Sequence, residues 1–531
     1  MKWLDAYTWA QTSCSVLKNY NPLLPQHMAI VNSIFTWYMK KRVHQIELFM
    51  KYPHDVQEEW FQKLISSAAD TEWGTKYDYR SILSPRQFKQ RVPIQNYDTL
   101  KPYIERMLKG EQNILWPTEI KWFAKSSGTT SDRSKFIPVS EESLQECHFK
   151  GGKDLLSIFC NNRPDNQILT GKGLVLGGSH QINQLNEDSF YGDLSAVLIK
   201  NLPMWAEYYR TPNISIALMD NYEEKMEKMA EATIKENVTN IAGVPTWTLV
   251  LAKKVLEITG KKNLLEVWPN LELYIHGAVN FKPYREQFKE LIPCNQMYYL
   301  ETYNASEGFF GIQDEVNSDE LLLMLDYGIY YEFLPIELLE SENPDTLSLD
   351  QVQLNKNYAI IISTNGGLWR YMIGDTVQFT SLSPYRIKIT GRTKHFINAF
   401  GEEVIIDNAE QAICKACTET GAVFKDYTAC PIYFKGEEVG GHEWIIEFDQ
   451  QPNDFEKFVD ILDATLREVN SDYDAKRFKD MALRRPKVHN APYNTFYNWL
   501  KSKGKLGGQH KVPRLANERT YVEEILPMMV K

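Results

Sequence analysis

The sequence lacks three features that would place it in common alternative classes of protein. It has no basic excess, because 59 Lys and Arg stand against 69 Asp and Glu, giving a formal net charge of −10. It has no run of about 18 consecutive apolar residues of the kind that crosses a bilayer. Its seven cysteines are too sparse for a disulfide scaffold. These absences predict a cytoplasmic protein that binds neither nucleic acid nor membrane.

Length and composition predict a folded protein of several domains. At roughly 150 residues per domain, the 531 residues suggest about three or four domains. The chain is 43% hydrophobic and 24% charged, which is ordinary for a protein with a large core. A helical pattern covers residues 30–52, and residues 1–27 before it are interpreted as an N-terminal extension.

The middle of the chain alternates short apolar runs with helical patterns. The runs lie at residues 173–177, 237–242, 271–275 and 297–300. Helical patterns at residues 246–257 and 281–292 separate the later runs. This alternation is typical of parallel strands joined by crossover helices. Because parallel strands present ligand loops at their carboxyl ends, we expect a site in the loops that follow these runs.

The pattern changes beyond residue 315. Strand-like runs with short connections, typical of antiparallel or barrel-like structure, lie at residues 321–325, 329–334, 358–363, 375–379 and 387–390. After them a helix is predicted to start at the cap residue Asp407, with Glu410 completing a capping box. Strands at 423–433 and 442–448 and a helix at 455–469 follow. We predict a multi-domain α/β protein with a large domain at 28–393, including a β-barrel-like part, and a small α+β domain at 394–531.

A loop rich in hydroxyl groups separates apolar runs at residues 120–124 and 136–139. It contains Ser126, Ser127, Gly128, Thr129 and Thr130, followed by Arg133 and Lys135. Hydroxyl and backbone N–H groups donate to phosphate oxygens, and the two cations offset phosphate charge. No second glycine precedes Lys135, so this is not a Walker loop. A polar hairpin tip remains the alternative.

Two further motifs contain carboxylates. Tyr303, Ser306 and Glu307 follow the strand predicted at 297–300, where Tyr303 suits stacking on a base and Glu307 suits Mg²⁺. The alternative is an ordinary helix cap. Asp375 follows Gly374 and suits both hydroxyls of a ribose, the alternative being an aspartate in a turn.

Together and in this order, these motifs resemble the adenylate-forming superfamily of acyl-CoA synthetases, peptide-synthetase adenylation domains and firefly luciferase. Residues 126–138, the Tyr-Glu-Phe-Leu-Pro run at 331–335 and the Gln-His-Lys-Val-Pro-Arg run at 509–514 are similar to the auxin-responsive Gretchen Hagen family of acyl-acid amido synthetases. The resemblance spans about residues 28–527. It implies a luciferase-like adenylate-forming fold with a mobile C-terminal domain.

The resemblance also implies a reaction and its residues. ATP and Mg²⁺ activate a carboxylic acid as an acyl adenylate, and the amine of an amino acid then displaces AMP. The implied nucleotide-binding residues are Ser126, Ser127, Gly128, Thr129, Thr130, Gly277, Ala278, Tyr303, Ser306, Asp375 and Arg392. The implied catalytic residues are Lys135, Glu307, which also binds the metal, and Lys511. Lys394 stands where the superfamily has its hinge.

The acid pocket and the acceptor are less determined by the sequence. His180, Tyr208, Thr246 and Trp247 are assigned to the acid pocket, with a loop histidine and core aromatic residues as the alternative. A ligase that uses coenzyme A as acceptor and a nucleotide-binding protein without turnover remain competing hypotheses. The sequence predicts small-molecule partners and does not predict the acid, the amino acid or the oligomeric state.

Overall fold

The computed structural model describes most of the chain. The described residues are 26–126, 135–177, 182–186, 189–219, 222–278, 281, 284–339, 341, 344–393, 396–397, 402, 404–432, 440–470, 473–474, 477, 483–505, 512–516 and 518–530. Within these ranges, no helix is both long enough and apolar enough to cross a lipid bilayer.

Helices occur along the whole described chain. They are α1 (Gln26–Lys51), α2 (Pro53–Ser67), α3 (Glu72–Lys76), α4 (Pro85–Arg91), α5 (Tyr97–Leu108), α6 (Glu141–Ser143), α7 (Lys150–Asn162), α8 (Leu194–Lys200), α9 (Met204–Tyr208), α10 (Ile214–Ala217), α11 (Tyr222–Thr233), α12 (Pro245–Thr259), α13 (Arg285–Leu291), α14 (Ile406–Thr420), α15 (Phe455–Val469), α16 (Thr495–Ser502) and α17 (Thr520–Ile525). A π-helical turn, Leu144–Phe149, joins α6 to α7. Short 3₁₀ helices lie at Tyr79–Ser81, Ile168–Thr170, Leu264–Glu266, Ile336–Leu338, Leu349–Gln351 and Leu526–Val530.

The strands are concentrated in the middle and C-terminal parts of the chain. They are β1 (Trp122–Ser126), β2 (Lys135–Val139), β3 (Lys172–Val175), β4 (Asn183–Asn186), β5 (Ser189–Gly192), β6 (Arg210–Thr211), β7 (Val238–Ala242), β8 (Leu273–Gly277), β9 (Tyr298–Ala305), β10 (Gly308–Ile312), β11 (Leu321–Leu323), β12 (Ile329–Pro335), β13 (Asn357–Thr364), β14 (Tyr371–Leu382), β15 (Tyr385–Arg392), β16 (Phe396–Ile397), β17 (Val404–Ile405), β18 (Val423–Ile432), β19 (Gly441–Gln450) and β20 (Lys487–Ala491).

One large sheet organises the predicted large domain. Its described strands follow the order β12-β13-β14-β15-β11-β10-β9-β8-β7-β3-β6. Strands β9, β8, β7, β3 and β6 run parallel, which confirms the predicted βαβ organisation. Strands β10 to β15 pair antiparallel with their neighbours and extend the same sheet from β9. The crossover helix α12 has Pro245 at its first turn and ends before Gly260, whose φ of +65° stops the helix.

A second sheet carries the hydroxyl-rich loop. Its described strands have the order β2-β1-β5-β4, and β1 and β2 are antiparallel neighbours. Ser126 at the end of β1 is the cross-strand partner of Lys135 at the start of β2. The predicted strands on both sides of the loop are therefore confirmed, while residues 127–134 lie outside the described residues.

The C-terminal part has its own sheet and its own cores. Strands β18, β19 and β20 form a sheet in that order, and α14 and α15 share its buried hydrophobic cluster. The prediction that Asp407 caps α14 is wrong. The helix begins at Ile406, so Asp407 lies inside its first turn, and Asn408 Oδ1 accepts the Ile405 N–H at 3.2 Å. Asn408 is the third residue of the helix, and its amide oxygen bonds back to the N–H of Ile405, the residue before the helix. This contact takes the place of the predicted capping box of Asp407 and Glu410.

A buried ion network attaches α1 to the large sheet. The Arg42 guanidinium donates to both oxygens of Asp154, at 2.7 and 2.8 Å, and to Asp326 Oδ2 at 2.8 Å. The Tyr327 hydroxyl also donates to Asp154, at 2.8 Å. The Asp154 side chain is fully buried, so its charge depends on these donors.

Replacing Arg42 with methionine is expected to destabilise the protein by about 3 to 5 kcal/mol, because Asp154 then keeps a buried charge without its ion-pair partner. A lower melting temperature in thermal denaturation would show this loss. The matched control is Arg80→Met, which breaks an exposed ion pair with Asp70 and should leave the melting temperature unchanged. Equal shifts for the two variants would contradict the role given to Arg42.

Candidate functional site

The carboxyl end of β8 approaches β9 so closely that it requires glycine. A Cβ atom on Gly277 would lie 2.5 Å from the carbonyl oxygen of Thr302, its cross-strand partner. Ala278 follows with a φ of +69° and is exposed. The chain therefore leaves the sheet at Ala278, directly after the close contact of Gly277, at the edge of the parallel strands where α/β sheets bind ligands.

Tyr303 and Asp375 contact each other directly across the sheet. The Tyr303 hydroxyl donates to Asp375 Oδ2 at 2.7 Å, and the two residues are 5% and 6% exposed. Asp375 in β14 is also the cross-strand partner of Arg392 in β15. The structure thus brings together three residues predicted from three separate motifs. The sequence analysis did not predict the hydrogen bond, because it gave Tyr303 a role only through its ring.

Ser306 and Glu307 form the two-residue turn between β9 and β10. The alternative interpretation of this motif as a helix cap is therefore wrong. Ser306 is 5% exposed, and its hydroxyl is buried without a hydrogen-bond partner among the described residues. Leaving a buried hydroxyl unpaired costs about 1 to 3 kcal/mol. An oxygen of a bound nucleotide would satisfy it, so this turn fits the predicted ligand.

Two tyrosines without an assigned role in the sequence lie near the candidate site, Tyr371 near Glu307 and Tyr97 at the start of β2. Tyr371 is fully buried at the start of β14, and its hydroxyl has no hydrogen-bond partner in the described structure. Burial and then the carboxylate of Glu307 raise the pKa of Tyr371 well above its ordinary value, so the hydroxyl keeps its proton. Tyr97 Oη accepts the Phe136 N–H at 2.9 Å, and its ring centroid lies 5.8 Å from Lys135 Nζ. Tyr371 could have been found from its position four residues before Asp375.

Other predicted site residues lie outside this cluster or outside the described residues. Tyr208 ends α9 with 68% of its surface exposed, and Trp247 in α12 is half-buried against the core of the parallel strands. The residues outside the described ranges are Ser127, Gly128, Thr129, Thr130, His180, Lys394 and Lys511. For Ser126, Thr246 and Arg392, the structure describes the backbone but not the side chain. Their assigned roles stay predictions.

The metal chemistry available to the described residues is limited. No group of three or more His, Cys, Asp or Glu among them could hold a metal ion. A magnesium ion that takes most of its ligands from phosphate and water needs only one or two protein carboxylates. Glu307, half-buried in the turn beside Ser306, fits that requirement.

Known proteins match this chain over most of its length. Models of the GH3 family match residues 42–297 (N-terminal domain), 322–392 (central domain) and 407–520 (C-terminal domain). The indole-3-acetic acid-amido synthetase GH3.3 of Arabidopsis thaliana is 23% identical over 558 residues, covering 91% of this chain and 93% of its own length. The jasmonoyl-L-amino acid synthetase JAR4 of Nicotiana attenuata is 23% identical over 402 residues, covering 63% and 68%.

Solved structures share the fold. The GH3.15 acyl acid amido synthetase superposes with a TM-score of 0.76 at 15% identity, covering 92% of this chain and 96% of its own. A 2-hydroxyisobutyryl-CoA ligase in its postadenylation state superposes with a TM-score of 0.59 at 12% identity, covering 90% and 91%. The predicted luciferase-like adenylate-forming fold is confirmed.

Replacing Ser306 with alanine is expected to weaken ATP binding about tenfold to 100-fold, because a hydrogen bond to a charged ligand is lost. The melting temperature of the ligand-free protein should not fall and is expected to rise, since the variant removes a buried hydroxyl that has no partner among the described residues. Calorimetric titration with ATP and thermal denaturation measure the two effects.

Ser140→Ala is the matched control for this variant. Ser140 is equally buried, but its hydroxyl donates to the Asn365 carbonyl at 2.7 Å and accepts the Ser143 N–H at 2.9 Å. It should lower the melting temperature and leave ATP affinity unchanged. The opposite pattern for the two serines would contradict a ligand role for Ser306.

Proposed function

Because this chain belongs to the GH3 family, we propose that it is an ATP-dependent acyl acid amido synthetase. A carboxylate oxygen of the acid attacks the α-phosphate of ATP, which gives an acyl adenylate and pyrophosphate. The amine of an amino acid then attacks the acyl carbonyl, which forms the amide and releases AMP and a proton. The hydrogen bond from Tyr303 to Asp375 is the observation that carries this proposal, because it unites the predicted adenine and ribose motifs.

The proposed nucleotide site follows the carboxyl ends of β8 and β9. Adenine lies against Tyr303 and along the backbone at Gly277 and Ala278, where β8 ends and Ala278 is exposed. The ribose hydroxyls bind Asp375 and Arg392, whose cross-strand pairing supports a shared task. Asp375 already accepts the Tyr303 hydroxyl with one oxygen, and its carboxylate has further lone pairs for a ribose.

The proposed phosphate site is made by the loop from Ser126 to Thr130 together with Lys135. The pairing of Ser126 with Lys135 places the two ends of this loop side by side. The chain has a net charge of −10, so an anionic triphosphate needs local cations. Bound Mg²⁺, held by Glu307 and substrate phosphates, would supply positive charge against the negative charge that builds on the α-phosphate.

Lys511 is proposed to contact the reacting carboxylate and the α-phosphate in the first half-reaction. The second half-reaction needs space for the amine at the same carbonyl, which a movable domain can provide. We therefore propose a large domain at 28–393 and a small domain at 394–531 that turns about Lys394. The described hydrophobic clusters support this division, because one set ends at Ile387 and the other begins at Ile397.

The proposed substrates are a small carboxylic acid and an amino acid, converted in the cytoplasm. His180, Tyr208, Thr246 and Trp247 are the candidate residues of the acid pocket. The relatives carry the names of different acids, indole-3-acetic and jasmonic acid. A binding pocket can change while the fold and the chemistry persist. We therefore propose a carboxylic acid substrate without assigning a particular acid.

The purified protein is expected to exchange pyrophosphate into ATP only when a suitable carboxylic acid from a test panel is present. Lys511→Ala should slow this exchange about 100-fold or more, because a cation aimed at the transition state is removed. The exposed Lys457→Ala in the same domain is the control. Incubation with mixed amino acids and coenzyme A, followed by mass spectrometry, should give an amide. A thioester without an amide would identify a coenzyme A ligase, and no exchange with any acid would contradict the adenylation reaction.

Replacing Glu307 with glutamine is expected to raise the Mg²⁺ concentration for half-maximal exchange about tenfold, because one charged metal ligand is lost. The KM for the acid should not change. Glu315→Gln removes the same charge from an exposed position and serves as the control. An unchanged Mg²⁺ requirement would show that Glu307 is not a metal ligand.

A further inference from the structure

The segment that follows the predicted catalytic lysine is fixed to the sheet of the small domain. Ala429 N in β18 donates to Arg514 O at 2.8 Å, and Ala516 N donates to Ala429 O at 3.1 Å. The Thr428 hydroxyl donates to Pro513 O at 2.6 Å. Residues 512–516 therefore lie alongside β18 as an added parallel strand, with a bridge between Ala429 and Leu515. Any movement of β18 moves this segment with it.

The Arg514 side chain points from this segment toward the large domain. Its guanidinium forms an ion pair with Asp426 in β18 at 2.5 Å and lies 4.6 Å from the ring centroid of Tyr427. Its Nη2 donates to the Tyr284 hydroxyl at 3.3 Å. Asp426 and Tyr427 belong to the small domain and Tyr284 to the large one, so Arg514 contacts both domains.

Tyr284 is rigidly held on its own side of this contact. It is 2% exposed and belongs to the hydrophobic cluster of the parallel strands, immediately before α13. Burial raises the pKa of Tyr284 to about 12, so its hydroxyl stays neutral near pH 7. The chain from Gly277 to Tyr284 connects this contact with the proposed adenine edge. Nearby, the rings of Tyr284 and Phe424 lie 6.4 Å apart.

A second polar contact joins the same two domains. Lys253 Nζ in α12 lies 3.5 Å from Asp449 Oδ2 in β19. Lys253 is more than half exposed, so the pair is expected to contribute little energy. The Lys253–Asp449 pair shows which surfaces of the two domains face each other but contributes little to keeping them together.

We propose that Arg514 is a positioning residue for adenylate formation, acting through its hydrogen bond to Tyr284. The inference rests on the proposed function, because it assigns this orientation of the small domain to the first half-reaction. In this orientation the segment that begins after Lys511 is tied to the chain that starts at Gly277. When the small domain turns, Asp426 moves with Arg514 and keeps the guanidinium paired. Among the described hydrogen-bond and ion-pair partners of Arg514, the neutral Tyr284 is the one left behind.

Tyr284→Phe tests this proposal with little structural change, because it removes the acceptor oxygen and keeps the ring. The rate of pyrophosphate exchange should fall about tenfold or more, the effect of losing one hydrogen bond to a charged group. The KM values for ATP and acid should stay within about twofold, and amide formation from supplied acyl adenylate should not slow. Arg514→Lys, which keeps the charge beside Asp426, should slow exchange similarly, and the double variant should slow it no further.

Tyr299→Phe is the matched control, since Tyr299 packs on the same cluster and its buried hydroxyl has no hydrogen-bond partner in the described structure. It should leave both half-reactions unchanged. If Tyr284→Phe leaves exchange as fast as Tyr299→Phe does, Arg514 does not act through Tyr284.

A cross-link gives a second readout that does not depend on the Arg514 variants. Cysteines replacing Lys253 and Asp449 should be joined by a short reducible thiol cross-linker, with the untreated variant and the treated parent protein as controls. The cross-linked enzyme should retain exchange and lose amide turnover, and reduction should restore it. Adding Tyr284→Phe should lower the rate of cross-linking.

The outcomes of these experiments separate the two proposals. Full amide turnover by the cross-linked enzyme, or an unchanged cross-linking rate with Tyr284→Phe, would overturn the role of Arg514 while leaving the synthetase activity intact. Absence of exchange in the parent protein with every acid would overturn the proposed function instead.

Discussion

A buried arginine fixes the strand on which the candidate site depends. The Arg370 guanidinium forms two hydrogen bonds with Glu332 of β12, both at 3.0 Å, and the two side chains are 4% and 1% exposed. It also donates to the backbone carbonyls of Lys89 at 3.1 Å and Val92 at 2.6 Å. A buried charge that lost these partners would be strongly unfavourable. The beginning of β14 is therefore tied both to its sheet and to the chain after α4.

The candidate ligand groups take their positions from this constraint. Tyr371 comes directly after Arg370, and Asp375 lies four residues further along β14. The backbone of Gln95 bonds on both sides of Tyr371, to Arg370 O at 2.9 Å and from Met372 N at 2.8 Å. That pairing places the chain leading to Tyr97 beside the same strand. Tyr97 is far from Tyr371 and Asp375 in sequence, yet all three are thus positioned relative to strand β14. An enzyme needs such fixed positions for a preorganised site.

Local patterns predicted the strands, the helices and the motifs at their ends well. The helix predicted at 455–469 has those bounds in the structure, because its apolar spacing and the preceding Asp454 cap agree. The cap assigned to Asp407 was wrong because the helix begins one residue earlier, at Ile406, and the side chain that bonds to the free N–H of Ile405 is that of Asn408. The sequence could not predict that the hydroxyls of Ser306 and Tyr371 lack a partner among the described residues, since only the packed structure determines which polar atoms are paired. The contact of Arg514 with Tyr284 joins residues 230 positions apart, and no local pattern carries that information.

The buried arginines differ in how the proposed rotation of the small domain would affect their ion pairs. Arg42 pairs with Asp154 and Asp326, and Arg370 pairs with Glu332. All of these residues belong to the proposed large domain, so these pairs stay intact as long as that domain is folded. Arg514 lies at the proposed domain boundary, yet its carboxylate partner Asp426 belongs to the same proposed small domain. Across the boundary it meets a neutral phenol. An ion pair divided between the two proposed domains would leave an uncompensated buried charge each time the small domain turned. The arrangement at Arg514 would lose one hydrogen bond to a neutral phenol and keep the ion pair with Asp426, so the proposed rotation costs less.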